Sequence, residues 1–417
     1  MDACQPPASH TASRPSWLPP ALQVRPFRWY WAAQWPVLIG TWMQIVALGF
    51  FVFQLTHSQT AVGIVAAADG VPAVALSLAG GALADRVPRR RILLVTQSVL
   101  GLSSGTLAVL ALTGRASLAS VTAVALVFGA ADAVDLPSRQ ALVADLVERR
   151  LVVSAVALGS VAMSTCRIIG PALAGQLLVT AGPGLCFLVL ALAYLVPIAV
   201  LVGVVPDIPP TRASTAGVRS GLRAGLAAAA GDPLVRAVLV CAAVLSFLGV
   251  SYMPYLPVFA ATSLHGGGAV LGLLYSTGGV GGLIAGLLIA GRGRPSTRVR
   301  MLGGGGLFYA AGLATLTQSH TLAMALPALV AISFGFLAMN TSMTTLLQTD
   351  TDPALRGRLL GLYTTTFAGL QPLGTLLYGV VGRRVPLFDA ITVGALLVGV
   401  VAVWTATRPA IRSTALA

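Results

Sequence analysis

The chain has 417 residues, 56% of them hydrophobic and only 9% charged, with a mean hydropathy of +0.88. Soluble domains carry about 25% charged residues, and disordered chains need low hydrophobicity, so both classes are excluded. The net charge of +14 comes from 26 Arg, no Lys, 11 Asp and a single Glu; in a soluble protein it would point to nucleic acid, but in so apolar a chain the placement of the Arg residues has to decide.

A membrane span needs about 20 apolar residues, so this length allows about a dozen. Taken in order, the N-terminal residues hold Pro, Ser and His but no apolar core of signal-peptide length, and the first long apolar run starts near Trp31. Apolar runs between polar breaks predict spans at 31–55, 61–84, 92–112, 117–137, 152–180, 184–205, 237–260, 269–290, 301–318, 321–347, 359–381 and 386–407. None alternates apolar and polar residues as the strands of a membrane barrel do. With the N-terminus placed in the cytoplasm, 22 Arg fall in inner segments, three (Arg115, Arg383 and Arg384) fall outside, and Arg167 lies within the fifth span. Cytoplasmic loops are enriched in Lys and Arg, and an odd number of spans would scramble this split. The expectation is an all-α integral membrane protein with twelve spans and both termini cytoplasmic. Its partner is the lipid bilayer, with no nucleic acid.

The polar breaks divide the chain into an N-terminal tail at 1–30, a six-helix bundle at 31–205, a cytoplasmic linker at 206–236, a second bundle at 237–407 and a tail at 408–417. The linker contains GVRSGLRAGLAAAA, which suits an amphipathic surface helix. A weak repeat relates the halves. Pro171 in the fifth span is echoed by Pro372 in the eleventh, and the Arg cluster after the second span (Arg86 to Arg91) by that after the eighth (Arg292 to Arg300). Parallel repeats with the substrate site between them are one architecture of secondary transporters. The four Cys (Cys4, Cys166, Cys186 and Cys241) form no CxxC pair, and no metal site is expected. No phosphate-binding loop or catalytic triad stands out, so the chain reads as a protein that is not an enzyme.

Charges inside a membrane are costly and mark functional sites. Arg167 lies deep in the fifth span, and Asp69 or Asp132, at similar depth, is its expected partner. Such a pair either carries a proton during transport or simply holds the bundle together. Burial raises a carboxylate's proton affinity and a neighbouring Arg lowers it, which makes Asp69 and Asp132 the proton-carrier candidates.

The segment Gly81-Ala82-Leu83-Ala84-Asp85-Arg86-Val87-Pro88-Arg89-Arg90-Arg91 resembles the loop signature of the major facilitator superfamily. The blocks GTWMQIVALGFFVFQLTHSQTAVGIV, DLPSRQALVADLV, RIIGPALAG and LRGRLLGLYTTTFAGLQPLG resemble the subfamily of enterobactin, macrolide and drug exporters. The resemblance implies two six-helix bundles that alternate access to a central site. It implies a conformational latch of Asp85, Arg86, Arg89 and Arg90, with Asp85 against the start of the eleventh helix near Gly361 and the Arg residues bridging the halves. Asp135 and Arg139, one turn apart on the fourth helix, would join that latch. Gly170, Pro171 and Gly175 are similar to the Gly-Pro signature of proton-coupled antiporters, expected where the halves meet. Helices 1, 4, 7 and 10 would line the cavity with Gln34, Trp42, Gln44, Ser246, Tyr252, Tyr255, Asn340, Thr341 and Thr345. The second copy of the loop signature, GRGRPSTRVR, lacks the Asp, and Asp69 and Asp132 stand where relatives carry other residues. The expected protein is a monomeric exporter of a bulky small molecule (a siderophore, antibiotic or other secondary metabolite) in a bacterial plasma membrane. A proton gradient drives it, without a cofactor. Importing a nutrient or iron complex, or serving as a transport-inactive receptor, are the alternatives.

Overall fold

In the computed structural model, residues 19–84, 87–208, 231–289, 295–352 and 355–412 are described, and they contain helices but no strand. The long helices are α1 Arg25–Thr56, α2 Gln59–Ala84, α3 Arg89–Leu112, α4 Leu118–Leu146, α5 Val152–Thr180, α6 Pro183–Gly203, α7 Pro233–Thr262, α8 Gly268–Ile289, α9 Pro295–Thr317, α10 Leu322–Thr349, α11 Arg356–Val381 and α12 Leu387–Thr407. Among the described residues, nine of them are long and apolar enough to cross a membrane. The other three, α2, α9 and α11, pack among these nine.

Local chemistry sets the helix ends. Pro at the first helical positions opens α1, α6 and α7, where a missing N–H costs nothing. The Asp232 carboxylate accepts from the N–H groups of Leu234 (2.8 Å) and Val235 (3.5 Å) and caps α7. Ser117 and Ser120 form a reciprocal cap at α4. His57, left-handed at φ 49°, ends α1 and lets α2 begin two residues later.

The sequence expectation for the fourth span stopped at residue 137, whereas α4 runs to Leu146. The polar stretch that suggested a boundary continues the helix because its charges are paired there: Arg139 with Asp135, and Asp145 with Arg89. The expected amphipathic helix of the linker, at 217–230, lies outside the described residues, as do Asp85 and Arg86.

Packing repeats with a period of six helices. In α1–α6, helix α2 packs on α4, α3 on α4 and α6, and α1 on α5 and α6; in α7–α12 the same pairs recur as α8 on α10, α9 on α10 and α12, and α7 on α11 and α12. Two further pairings cross between the sets, α2 with α11 and α5 with α8, and they too are related by six.

Helix α7 breaks the pattern. It passes from an α-helix at Pro233–Val244 through a π-turn at Leu245–Gly249 and a 3₁₀ stretch at Val250–Tyr255 before resuming. Pro254 removes one donor from this stretch. Bonds to α11 anchor the irregular backbone: Ser251 donates to the Gln371 carbonyl (2.9 Å), Tyr255 to Thr375 (2.6 Å), and Tyr378 back to Leu248 (2.8 Å). Side chains from a neighbouring helix thus satisfy what the discontinuity frees.

Candidate functional site

A cavity of about 610 Å³ lies between the two sets, within the range of pockets that take drug-sized ligands. Its wall includes Trp42 and Gln44 of α1, Asp69 and Gly70 of α2, Asp132 of α4, Arg167 of α5, Tyr252 and Met253 of α7, Tyr275 of α8, Tyr309 of α9, Phe336 of α10, and Gln371 and Pro372 of α11.

Glycine seams close one end of this cavity. Along α5 and α8, Gly175 meets Gly268 and Gly272, the Pro171 carbonyl faces Gly272, Ser276 donates to the Ile168 carbonyl (2.9 Å), and Gly279 abuts the Arg167 backbone. Beyond Gly279 the helices part: Gly282 faces open space, and Gly286 meets only Leu337 of α10. Along α2 and α11, Thr60 donates to the Gly379 carbonyl (2.7 Å), Gly63 lies against Gly379, and Gly70 lies against Pro372. Toward the start of α11, Gly361 and Gly357 meet nothing. The sets therefore touch from mid-depth to the Arg-poor end and separate toward the end that carries Arg89, Arg139, Arg298 and Arg356.

Of the Gly-Pro motif, Pro171 and Gly175 sit at this contact between the sets. Gly170 instead packs within the first set, against Ile39 and Trp42 of α1.

The charged side chains concentrate in the first set. Asp69 and Asp132 both face the cavity, and their helices are in intimate contact: a Cβ on Gly129 of α4 would overlap the Asp69 carbonyl oxygen. Arg139 stands between two carboxylates, 2.6 Å from the fully buried Asp135 and 3.6 Å from Asp132. The closer contact is an ion pair without hydrogen-bond alignment; Asp135 also accepts from Thr96 of α3 (2.7 Å). A buried charge at that position needs a partner, and this cluster supplies ion pairs on both sides of Arg139.

Arg167 does not form the expected pair. Among the described residues no carboxylate lies within ion-pair distance of it; its guanidinium lies 5.4 Å from the Trp42 ring centroid. Asp132 is drawn to Arg139 on its own helix instead. Of the latch Arg residues, the two described ones, Arg89 and Arg90, also stay within the first set. Arg89 pairs with Asp145 of α4, and Arg90 donates to the carbonyls of Leu201 (2.6 Å) and Val202 (2.8 Å) at the end of α6. Here they do not bridge the sets, as expected of them, because the sets are apart at this end.

The expected lining is met by Trp42, Gln44 and Tyr252, while Gln34, Ser246, Tyr255, Asn340, Thr341 and Thr345 do not bound this cavity. Several of these are spent on helix contacts: Ser246 donates to the Phe367 carbonyl and Asn340 to the Tyr363 hydroxyl (3.0 Å). Sequence reasoning missed Tyr275, Tyr309, Phe336 and Gln371. The Gly268, Gly272 and Gly279 spacing that brings α8 inward was the signal for the first of these. Among the described residues no group of three His, Cys, Asp or Glu could hold a metal ion.

Two sets of six helices, one a repeat of the other in packing, around one central cavity define the major facilitator fold. The family model for the transmembrane secretion effector, within the major facilitator superfamily, matches residues 15–417. The chain belongs to that family and is a multi-pass membrane transporter rather than an enzyme. It is 25% identical over 362 residues to the staphyloferrin A transporter of Staphylococcus aureus, covering 85% of this chain and 88% of that one. It is 27% identical over 384 residues to the enterobactin exporter of Citrobacter koseri, covering 87% and 90%. Among solved structures, a nucleoside transporter aligns with a TM-score of 0.71 at 12% identity over 93% of this chain and 99% of that one. A bacterial homologue of the human lysosomal transporter Spinster aligns with a TM-score of 0.69 at 15% identity over 95% and 98%. At these identities the structures speak for the fold alone.

Proposed function

We propose that this protein exports a siderophore-class metabolite across a bacterial plasma membrane, exchanging it for protons by alternating access. All of α1–α12 span the bilayer, the Arg-rich end is cytoplasmic with both termini, and the structure is then open to the inside. The two transporting units are residues 31–205 and 237–407, joined by the linker at 206–236. The observation that carries the reading is the cavity itself. It lies between the repeats, is closed by glycine seams at the Arg-poor end, and has Asp69 and Asp132 in its wall. Carboxylates within the membrane that face a substrate pathway are suited to gaining and losing protons. The relatives' names, an enterobactin exporter and a staphyloferrin A transporter, support the substrate class.

In the opposite state the Arg-rich ends close. Asp85, Arg86 and the start of α11 form the latch there, while Asp135 and Arg139 hold α4 in register for it. Pro171 and Gly175 form the hinge seam that must open. The protein works as a monomer with no cofactor beyond the proton gradient.

The test is siderophore accumulation in an efflux-deficient host, with and without a protonophore. Expression should lower accumulation, the protonophore should restore it, and Asp69→Asn and Asp132→Asn should uncouple export. Raised accumulation on expression would reverse the direction. Unaltered coupling in both variants would remove these carboxylates from the proton path.

A further inference from the structure

Among the described residues, the cavity wall has one cation that the fold does not neutralise. Arg167 sits where α5 and α8 part, and its guanidinium is held only against the face of Trp42. Cation–π contact with Trp compensates a small part of what an Arg loses on leaving water. The two cavity carboxylates belong to α2 and α4, and Asp132 is already engaged by Arg139. Tyr252 of α7, from the other set, lies beside Arg167, and Tyr275 of α8 adds a further ring to the wall. Tyr275 is fixed by donating to the Met253 carbonyl (2.8 Å). A cation without an ion partner in a largely apolar cavity is stabilised most by an anion arriving with the ligand.

We infer that Arg167 is the anion-binding residue of the substrate site, and that the transported molecule presents a flat, two-oxygen anionic group to it while a ring or chain lies along Trp42 and Tyr252. The planar guanidinium fork matches a carboxylate or a catecholate, and a Lys would not reproduce that match. The group bound at Arg167 would touch α1 and α5 of one set and α7 of the other, so its binding favours the sets being drawn together. This rests on the transporter reading, and it specifies what that reading leaves open: the substrate is an organic acid, held by its charge.

The experiment is equilibrium binding to the purified full-length protein in lipid nanodiscs, which requires neither a gradient nor a direction of transport. The probes are a bis-amide of citric acid with one free carboxylate, the methyl ester of the same molecule, and an N-alkyl dihydroxybenzamide, which has no carboxylate, for the catecholate form. Wild type should bind the acid roughly 10–100-fold more tightly than the ester, the range expected of a charged hydrogen-bonded pair. Arg167→Gln should abolish that preference, and Arg167→Lys should restore part of it. Comparing acid with ester on wild type needs no variant, so a misfolded variant does not spoil the test. Equal binding of acid and ester, no binding of any acid by wild type, or an intact acid preference in Arg167→Gln would each overturn the inference. Arg167-dependent binding in a protein that moves none of these acids would sustain the inference and overturn the transport reading alone.

Discussion

The sets α1–α6 and α7–α12 share a packing map but not a chemistry. In the first, charged side chains lie within the helices, at Asp69, Asp132, Asp135, Arg139 and Arg167, beside neutral groups such as Gln44 and Ser104. In the second, among the described residues, charged side chains lie toward helix ends, and the interior polar groups are neutral: hydroxyls bonded to backbone carbonyls, as Ser251, Tyr255 and Tyr378 are, and amides such as Asn340. On the function proposed above, the first set is the one that responds to protons and anions. The second is built around the broken helix α7, whose irregular stretch is tied to α11. One fold copy handles charge and the other supplies a bend, a division that the repeated topology alone would not reveal.

Breaking the charged cluster should have the largest effect. Arg139→Ala leaves Asp135 buried without its cation, and removing one partner of a buried pair costs about 3–5 kcal/mol. The expected outcome is loss of the monodisperse peak in size-exclusion chromatography, with partial recovery in the double variant Asp135→Asn, Arg139→Gln. A normal thermal midpoint for Arg139→Ala would mean the cluster is not structural. Next come the backbone contacts. Gly129→Ala forces a methyl onto the Asp69 carbonyl in the first set, and Gly374→Ala forces one onto the Phe247 carbonyl in the second. Overpacking of this kind costs about 1–3 kcal/mol. Both should lower the thermal midpoint in detergent, but Gly129→Ala alone should also impair proton-dependent export, because it shifts the helix that carries Asp69. Smaller still is Ser251→Ala, which removes one hydrogen bond to α11, worth about 1 kcal/mol. It should leave proton dependence unchanged.

Much of this was legible in the sequence. Apolar runs located the helices because a span must be long and uninterrupted, and the cost of intramembrane charge singled out Asp69, Asp132 and Arg167, all of which reach the cavity. Partners were less legible. Depth along a helix was readable but side-chain reach was not, so Arg167 was matched to carboxylates at its level while Asp132 was claimed by Arg139 two turns along the same face of α4. The same blindness put Asn340 and Ser246 in the cavity wall rather than on Tyr363 and Phe367. The extra length of α4 was hidden because charged residues read as a loop until their partners on α3 are known.

The smallest expected effect tests the repeat itself. Arg89 opens α3 and pairs with Asp145 at the end of α4; Arg298, near the start of α9, stands 3.9 Å from Asp350 at the end of α10 and donates to Thr349 (3.0 Å). These are one contact written twice, six helices apart, at the Arg-rich end. Both pairs are partly exposed, and pairs of that kind contribute about 0–1 kcal/mol. Stability should thus change little in Arg89→Ala or Arg298→Ala, and by similar amounts. Their effects on export should differ, because only Arg89 belongs to the loop signature with Asp85, while its counterpart sequence, GRGRPSTRVR, has no Asp to latch. Transport assays on the two variants at matched membrane expression decide it. Slower export in Arg89→Ala alone locates the latch in the first set. Equal slowing would mean that both copies act in closure, and the asymmetry drawn from the cavity would then stop at mid-depth.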